Sequence, residues 1–305
     1  MATTKVFGHK SPDTDTTCSA IIWSWYLNHT GENARPYMLG APNKETAYVL
    51  THWGVAQPEL LPALSADDPV VIVDTNNPQE LPENISDTNV IAIIDHHKLS
   101  GLSTKAPPLV HMRPLACTAT VMFDLMGERA QEMPKEVAGL MLSCILSDTL
   151  EFRSPTTTPH DKEVAEKIAA QFGIDLHALA EEMFAAKSDV SDYSEVQLLT
   201  LDAKKFEVGG KNLLVSSLET TTPASVLARK SGFISAMKEV AAREGVDDVL
   251  FFVVDILKEE ATVFTYNDLT KQIIKASFGA DVSGDTVLLP GVVSRKKQIL
   301  PVLKA

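Results

Sequence analysis

Four apolar segments in the first half of the chain run directly into carboxylate or imidazole side chains. K-V-F-G leads to His9, V-V-I-V to Asp74, I-A-I-I to the D-H-H run at residues 95–97, and L-S-C-I-L-S to Asp148. The first three of these runs are strand-like and alternate with amphipathic stretches, which predicts a parallel, doubly wound sheet. Because these sheets bind ligands outside the carboxyl ends of their strands, the polar side chains are expected to share one site.

Local patterns predict the individual elements. In residues 1–185, strands are predicted at Lys5–Gly8, Arg35–Leu39, Val70–Asp74 and Val90–Asp95, and helices at Thr16–His29, Lys44–Trp53, Pro134–Leu150 and His160–Phe172. Farther on, strands are predicted at Lys205–Val208, Asn212–Ser217, Asp248–Val254 and Ala261–Thr265, and helices at Val226–Glu244, Asn267–Phe278 and after Ser294. The second half therefore has a mixed arrangement.

A chain of 305 residues is expected to form about two domains. The small, polar stretch Ala185–Ser194 indicates a linker between them. The predicted fold class is α/β, with an N-terminal doubly wound parallel sheet in residues 1–187 and a smaller C-terminal mixed α/β domain in residues 195–305. The linker itself is predicted at about residues 188–194.

Amino-acid composition and net charge limit the kinds of molecule that the chain is expected to bind. Apolar residues make up 45% of the chain and charged residues 22%, which is typical of soluble globular proteins. No run approaches the roughly 18 apolar residues of a membrane span, and the N-terminus lacks a signal-peptide core. The three cysteines lie far apart among apolar residues, so we expect a reduced, cytoplasmic protein without a membrane partner. A net charge of −13 argues against nucleic-acid binding but allows an anionic substrate where metal ions invert the local field.

The strand-end side chains are oxygen and imidazole donors without thiolate, the set that suits Mn²⁺ or Mg²⁺. They outnumber the ligands of one ion, which indicates a two-metal centre and therefore hydrolytic or phosphoryl chemistry. One aspartate of the Asp13–Asp15 pair could simply cap a helix, but two exceed that need. Asp148 near a helix C-terminus opposes the helix dipole unless a positive charge compensates it. Asp95 could accept the second ring N–H of a neighbouring histidine.

The chain lacks the usual motifs of other mechanisms. It contains neither a G-x-x-x-x-G-K-[ST] phosphate loop nor a G-x-S-x-G nucleophile motif, and no cysteine has an activating context. The S-R-K-K run at residues 294–297 places cations at a predicted helix start, where they are unfavourable without a bound anion. This run is therefore a candidate for binding an anionic substrate.

Taken together, G-H-K-S-P-D-T-D, V-D-T-N, I-D-H-H-K, L-S-D-T, L-D-A-K and S-R-K-K resemble the family II inorganic pyrophosphatases of the DHH phosphoesterase superfamily. The motifs occur in order over essentially the whole chain. D-H-H marks only the superfamily, whereas L-D-A-K with S-R-K-K is specific to the pyrophosphatase branch. The resemblance implies a manganese-dependent hydrolase that converts pyrophosphate into two orthophosphates. It also implies a homodimer through the N-terminal domain. No regulatory insert separates the D-T-N segment from the D-H-H run, so the chain resembles the short, unregulated form of the family.

The resemblance also implies roles for individual residues. One metal ion would be bound by His9, Asp13 and Asp74, and the other by Asp15, His96, Asp148 and Asp74, with Asp74 bridging. Two Mn²⁺ per subunit are expected, with Co²⁺ or Mg²⁺ as substitutes and additional Mg²⁺ arriving with the substrate. His97, Lys204, Arg295 and Lys296 match the substrate-binding positions. Thr75 and Asn77 depart from the His and Glu that are common in the family, which bears on metal affinity and metal choice.

A mechanism follows from this implied arrangement. The active site is expected in the cleft between the domains, where cations of the second domain meet a phosphate on the metals. Hydroxide bridging the two ions would attack the nearer phosphorus, with Asp13 and His97 as the catalytic candidates for proton transfer. One alternative is a DHH enzyme acting on a nucleotide such as 3′-phosphoadenosine phosphate or on short oligonucleotides. Another is a metal-responsive regulatory module without catalytic activity.

Overall fold

The computed structural model describes residues 2–304. They form two compact units, of which unit 1 ends at Lys187 and unit 2 begins at Ser188. Residues 188–194, predicted as a linker, contain no helix or strand.

Unit 1 is an α/β structure within the described residues. Its strands are β1 (Thr4–Phe7), β2 (Ala34–Met38), β3 (Glu59–Leu60), β4 (Pro69–Val73), β5 (Asn89–Asp95) and β6 (Leu109–Met112). Its helices are α1 (Thr14–His29), α2 (Lys44–His52), α3 (Thr118–Met126), α4 (Lys135–Thr149), α5 (Pro159–Phe172) and α6 (Leu176–Lys187). The strands form one sheet in the order β3-β2-β1-β4-β5-β6 with all pairings parallel, which confirms the predicted fold class.

The order of the strands determines where the candidate site lies in unit 1. Strand order reverses between β1 and β4, which pair directly although about 60 residues separate them in sequence. Residues 70–73 of β4 are all buried, as expected for a central parallel strand. The carboxyl ends of β1, β4 and β5 therefore meet at one edge, directly before His9, Asp74 and His96.

Unit 2 contains helices and a mixed sheet. The helices are α7 (Glu195–Leu201), α8 (Pro223–Leu227), α9 (Lys230–Glu244) and α10 (Asp268–Phe278), and the strands are β7 (Ala203–Val208), β8 (Lys211–Thr220), β9 (Asp248–Asp255), β10 (Glu260–Phe264) and β11 (Thr286–Pro290). Among the described residues the sheet order is β11-β10-β9-β8-β7, in which the β8–β9 pairing is parallel and the other three pairings are antiparallel. Alternate residues of β9 enter two cores: Phe251 packs with Phe233, and Phe252 packs with Phe278.

Two helix predictions for this unit were wrong in detail. The predicted helix Val226–Glu244 is divided into α8 and α9, and the chain turns at Arg229, whose guanidinium bonds to Glu195 and to two carbonyl oxygens. The predicted last helix is only a π-helical turn, Arg295–Ile299, followed by a short 3₁₀ turn. Pro301 lacks a backbone N–H and prevents a regular continuation.

Candidate metal centre

Asp74 follows β4 in a left-handed backbone conformation, with φ at 59°. Aspartate tolerates this region better than most residues. Its carboxylate is buried and accepts hydrogen bonds from the hydroxyls of Thr16, at 2.5 Å, and Thr118, at 2.9 Å. Histidine nitrogens approach from two sides: His9 Nε2 lies 3.6 Å from Oδ2, and His96 Nε2 lies 3.4 Å from Oδ1.

The two aspartates at the start of α1 have different environments. Asp13 is the N-cap of α1: its Oδ1 accepts from the Thr16 N–H at 2.9 Å, while its Oδ2 lies 3.5 Å from His9 Nε2. Asp13 can thus cap the helix with one oxygen while its other oxygen remains available to a metal ion. Asp15 is buried and accepts from the Thr118 N–H at 2.7 Å and the Ala119 N–H at 3.3 Å. The N-terminus of α3 therefore stabilises the charge of Asp15.

Asp95 organises the histidine pair at the end of β5. Its Oδ1 accepts from the backbone N–H groups of His96 and His97, at 2.8 and 3.0 Å, and lies 2.9 Å from His97 Nδ1. Asn76 donates to its other oxygen at 2.6 Å. His96 Nδ1 faces the Leu115 carbonyl at 3.0 Å, which directs Nε2 towards Asp74. His97 is 53% exposed and stands at the edge of the centre.

The six predicted metal ligands come together in two groups. The ligand atoms of His9, Asp13 and Asp74 lie within 4.8 Å of one another, as do those of Asp15, His96 and Asp148. Asp74 also forms such a group with His96 and His97. The first group equals the set that the resemblance names for one ion, whereas the second contains three of the four residues named for the other and lacks Asp74. The assignment of each residue as a ligand, and of Asp74 as the bridge, stays a prediction.

The ionisation of the side chains in these two groups favours the binding of divalent cations. Burial opposes protonation of the histidines, but hydrogen bonds to carboxylates outweigh it and raise the pKa of His9 to about 10 and that of His96 to about 9. Burial favours neutral Asp74, yet hydrogen bonds from His9, His96 and Thr16 hold its pKa well below the usual range. Without a metal, ring protons thus compensate Asp74, and a cation would replace them.

In the second group, one histidine, His96, faces two carboxylates, those of Asp15 and Asp148, so negative charge exceeds positive charge. Burial and the charge of Asp74 raise the pKa of Asp15 to about 7. Burial and the charge of Asp15 raise the pKa of Asp148 well above its ordinary value. Crowded carboxylates of this kind hold protons until a cation neutralises them. With oxygen and imidazole donors only, both groups suit a hard divalent ion such as Mn²⁺ or Mg²⁺.

Unit 1 also has space beside these groups. A cavity of about 560 Å³ is lined by His9, Lys10, Ser11, Asp74, Thr75, Asn76, Asn77, Gln79, Glu80, His97, Lys98 and Ser100. The two residues that depart from the family pattern hold its loop together. Thr75 donates to Glu80 at 2.7 Å, and Asn77 accepts from the Gln79 N–H at 3.1 Å.

The predicted substrate-binding cations lie in unit 2. Lys204 is exposed on β7, and Lys296 is exposed in the π-helical turn. The Arg295 guanidinium donates to the Asp202 carbonyl and to the Asp202 carboxylate, the latter at 2.7 Å. Asp202 therefore connects the L-D-A-K and S-R-K-K segments within this unit.

Several supporting groups were not predicted. Thr16 and Thr118 bind Asp74, Asn76 binds Asp95, and the Leu115 carbonyl binds His96. Backbone carbonyl and N–H groups have no sequence signature, and α3 was not predicted. The threonine beside the D-T-D motif was the one available signal.

Comparisons with known proteins cover both units. Residues 3–145 match the model of the DHH family, N-terminal domain, and residues 181–305 match the DHHA2 domain. A Lactobacillus johnsonii protein described as a probable manganese-dependent inorganic pyrophosphatase is 37% identical over 99% of this chain and 98% of its own length. A Deinococcus radiodurans protein of the same description is 39% identical over 98% of this chain and 97% of its own.

A solved structure from Methanococcus jannaschii, assigned as a family II inorganic pyrophosphatase, is 36% identical with a TM-score of 0.60. The match covers 98% of this chain and 97% of that one. Within residues 2–304, none of the helices combines the length and the apolar character that a membrane span requires.

Proposed function

This chain belongs to the manganese-dependent, family II inorganic pyrophosphatases, and on that premise we propose that it hydrolyses pyrophosphate to two orthophosphates at a binuclear centre in unit 1. The observation that carries the proposal is the pair of adjacent Asp/His groups, of which one contains Asp74 and the other contains His96, whose Nε2 lies 3.4 Å from Asp74 Oδ1. Full-length similarity to the pyrophosphatases, extending through unit 2, favours this activity over the nucleotide-directed alternative.

In this proposal His9, Asp13 and Asp74 hold one Mn²⁺ and Asp15, His96, Asp148 and Asp74 hold the other. Co²⁺ or Mg²⁺ could substitute, and further Mg²⁺ would arrive with the substrate. When bound, the two ions supply an activated water and positive charge for the phosphoryl oxygens. Asp13, with one oxygen on the helix N-terminus, and His97, with Nδ1 held by Asp95, are the candidates for proton transfer.

Substrate binding is assigned to His97, Lys204, Arg295 and Lys296. Asp95 raises the pKa of His97 through a hydrogen bond, which favours the protonated ring that suits a phosphate oxygen. Arg295 offers a planar fork that binds two phosphate oxygens, while the lysines act as point charges. Asp202 holds the guanidinium in place before substrate binds.

A phosphate-release assay tests this function. With Mn²⁺ or Mg²⁺, rapid release is expected from pyrophosphate and little from ATP, 3′-phosphoadenosine phosphate or a nucleoside monophosphate. Asp74→Asn should remove metal binding and activity together, whereas Lys296→Ala should raise KM and retain the metals. Faster release from a nucleotide, or near-normal turnover in Asp74→Asn, would contradict the proposal.

We also propose a cytoplasmic homodimer formed through unit 1 that binds neither nucleic acid nor membrane. The edge strand β6 is the candidate surface, because Leu109 is 67% and Val110 50% exposed beside unpaired backbone groups. Sedimentation is expected to give a dimer for the parent protein and a monomer for Val110→Lys. Leu288→Lys, at a residue 52% exposed in unit 2, is the matched control and should remain dimeric.

A further inference from the structure

Glu45 is a buried carboxylate that has no part in the proposed chemistry. It stands in the first turn of α2 and is 0% exposed. Its Oε2 accepts hydrogen bonds from the Thr14 hydroxyl, at 3.0 Å, and the Ser147 hydroxyl, at 2.8 Å. The Lys187 ammonium lies 3.3 Å from the same oxygen. Groups from α1, α4 and α6 therefore converge on one atom.

Both hydroxyls belong to neighbours of candidate metal ligands. Thr14 directly precedes Asp15 in the first turn of α1, and Ser147 directly precedes Asp148 in the last turn of α4. Asp15 and Asp148 belong to the same metal group. Glu45 thus links the two helix ends that form this group, while remaining outside it.

Packing alone does not account for a carboxylate here. Burying one is costly, and a well-packed apolar side chain of similar volume is often equally stable or more stable. The second oxygen of Glu45 has no hydrogen-bond partner among the described residues, which adds to the cost. Three donors on Oε2 do, however, fix the directions of three helices, which an apolar side chain cannot do.

We propose that Glu45 is a positioning residue for the metal centre, holding α1 and α4 so that Asp15 and Asp148 reach one ion, with Lys187 compensating its charge. This inference rests on the proposed function, since it presupposes that this group holds a metal ion. Groups that orient metal ligands typically change metal affinity about 10–100-fold when they are removed.

Calorimetric titration of Mn²⁺ into the metal-free protein tests the role. Glu45→Met is expected to weaken binding at one of the two sites about tenfold or more, because Ser147 loses the carboxylate acceptor and Thr14 keeps only the Thr46 hydroxyl, 3.2 Å away. Glu45→Gln keeps an acceptor oxygen and should restore most of the affinity. Tyr48→Phe, on the same helix, should bind like the parent. Tryptophan fluorescence should give metal-free Glu45→Met a melting midpoint close to that of the parent.

Unchanged Mn²⁺ affinity in Glu45→Met would overturn the proposal, as would equal losses in the Met and Gln variants. A lowered midpoint with normal affinity would assign Glu45 a purely structural role. If Glu45→Met does not fold, Ser147→Ala removes one donor and should weaken binding about threefold, and no change there would be equally decisive. Asp74→Asn separates the two proposals: two bound ions in that variant would refute the metal assignment itself.

Discussion

At the scale of single residues, Asp74 combines an unfavourable backbone conformation with a well-satisfied side chain. A left-handed conformation costs an L-residue about 1–2 kcal/mol, and glycine would avoid that cost. Glycine would also remove the carboxylate that meets Thr16, Thr118 and two histidines. Those contacts hold the conformation in place, so the site retains a residue that the backbone alone would not favour.

The shifted pKa values of the candidate ligands predict how stability depends on pH. The pKa of Asp15 is raised from 3.8 to about 7, and those of His9 and His96 are raised from 6.5 to about 10 and 9. The folded, metal-free protein therefore binds more protons than the unfolded chain between pH 6 and 9, so its stability should fall as pH rises. Metal binding displaces these protons, so the stabilisation by Mn²⁺ should grow over the same range.

Melting midpoints at pH 6, 7, 8 and 9, with a chelator and with Mn²⁺, measure both trends. The gap between the two midpoints is expected to widen with pH. A constant gap would mean that protons and metal do not compete at these side chains.

At the scale of elements, the central strands β4 and β5 could be predicted from the sequence, whereas the edge strands β3 and β6 could not. β4 and β5 are continuous apolar runs whose polar residues follow at once, so both the sheet and most candidate ligands were visible in the sequence. β3 has two exposed residues and β6 is largely solvent-facing, so neither has an apolar pattern. The missed helix α3 matters most, because its first N–H groups bind Asp15.

The packing of α2 and its C-terminal turn on α4 depends on a glycine. A Cβ atom on Gly139 would lie 2.4 Å from the indole ring of Trp53. Alanine normally stabilises a helix interior by about 1 kcal/mol relative to glycine, but overpacking costs about 1–3 kcal/mol. Gly139→Ala should therefore lower the free energy of unfolding in denaturant titrations. In a Trp53→Leu background the same change should be much less harmful, and a stabilising effect in the parent would contradict this packing.

At the scale of the whole molecule, all candidate metal ligands belong to unit 1 and the predicted phosphate-binding cations Lys204, Arg295 and Lys296 belong to unit 2. The resemblance supplied that division of roles, since no single element carries it. Local patterns alone left the second half as an unspecified mixed domain. The motifs around Lys204 and Arg295, near the two ends of this domain, indicated that it binds the substrate.

The distribution of tryptophan allows the units to be followed separately. Trp23, Trp25 and Trp53 are the three tryptophans of the chain, and all lie in unit 1. Mn²⁺ at 100 times its dissociation constant should stabilise unit 1 by about 2.7 kcal/mol per site. The fluorescence transition, which reports on unit 1 alone, should therefore move to higher temperature with Mn²⁺. An unshifted fluorescence transition at saturating Mn²⁺ would contradict metal binding in unit 1.

The order of these groups along the chain has a consequence for biosynthesis. His9 is the first candidate ligand and Asp148 the last, so translation completes the set well before Lys204 is added. A nascent chain therefore exposes all the candidate ligands before any of the proposed phosphate-binding cations of unit 2 has left the ribosome. Under the proposed assignment, metal binding can then precede competence for hydrolysis during synthesis.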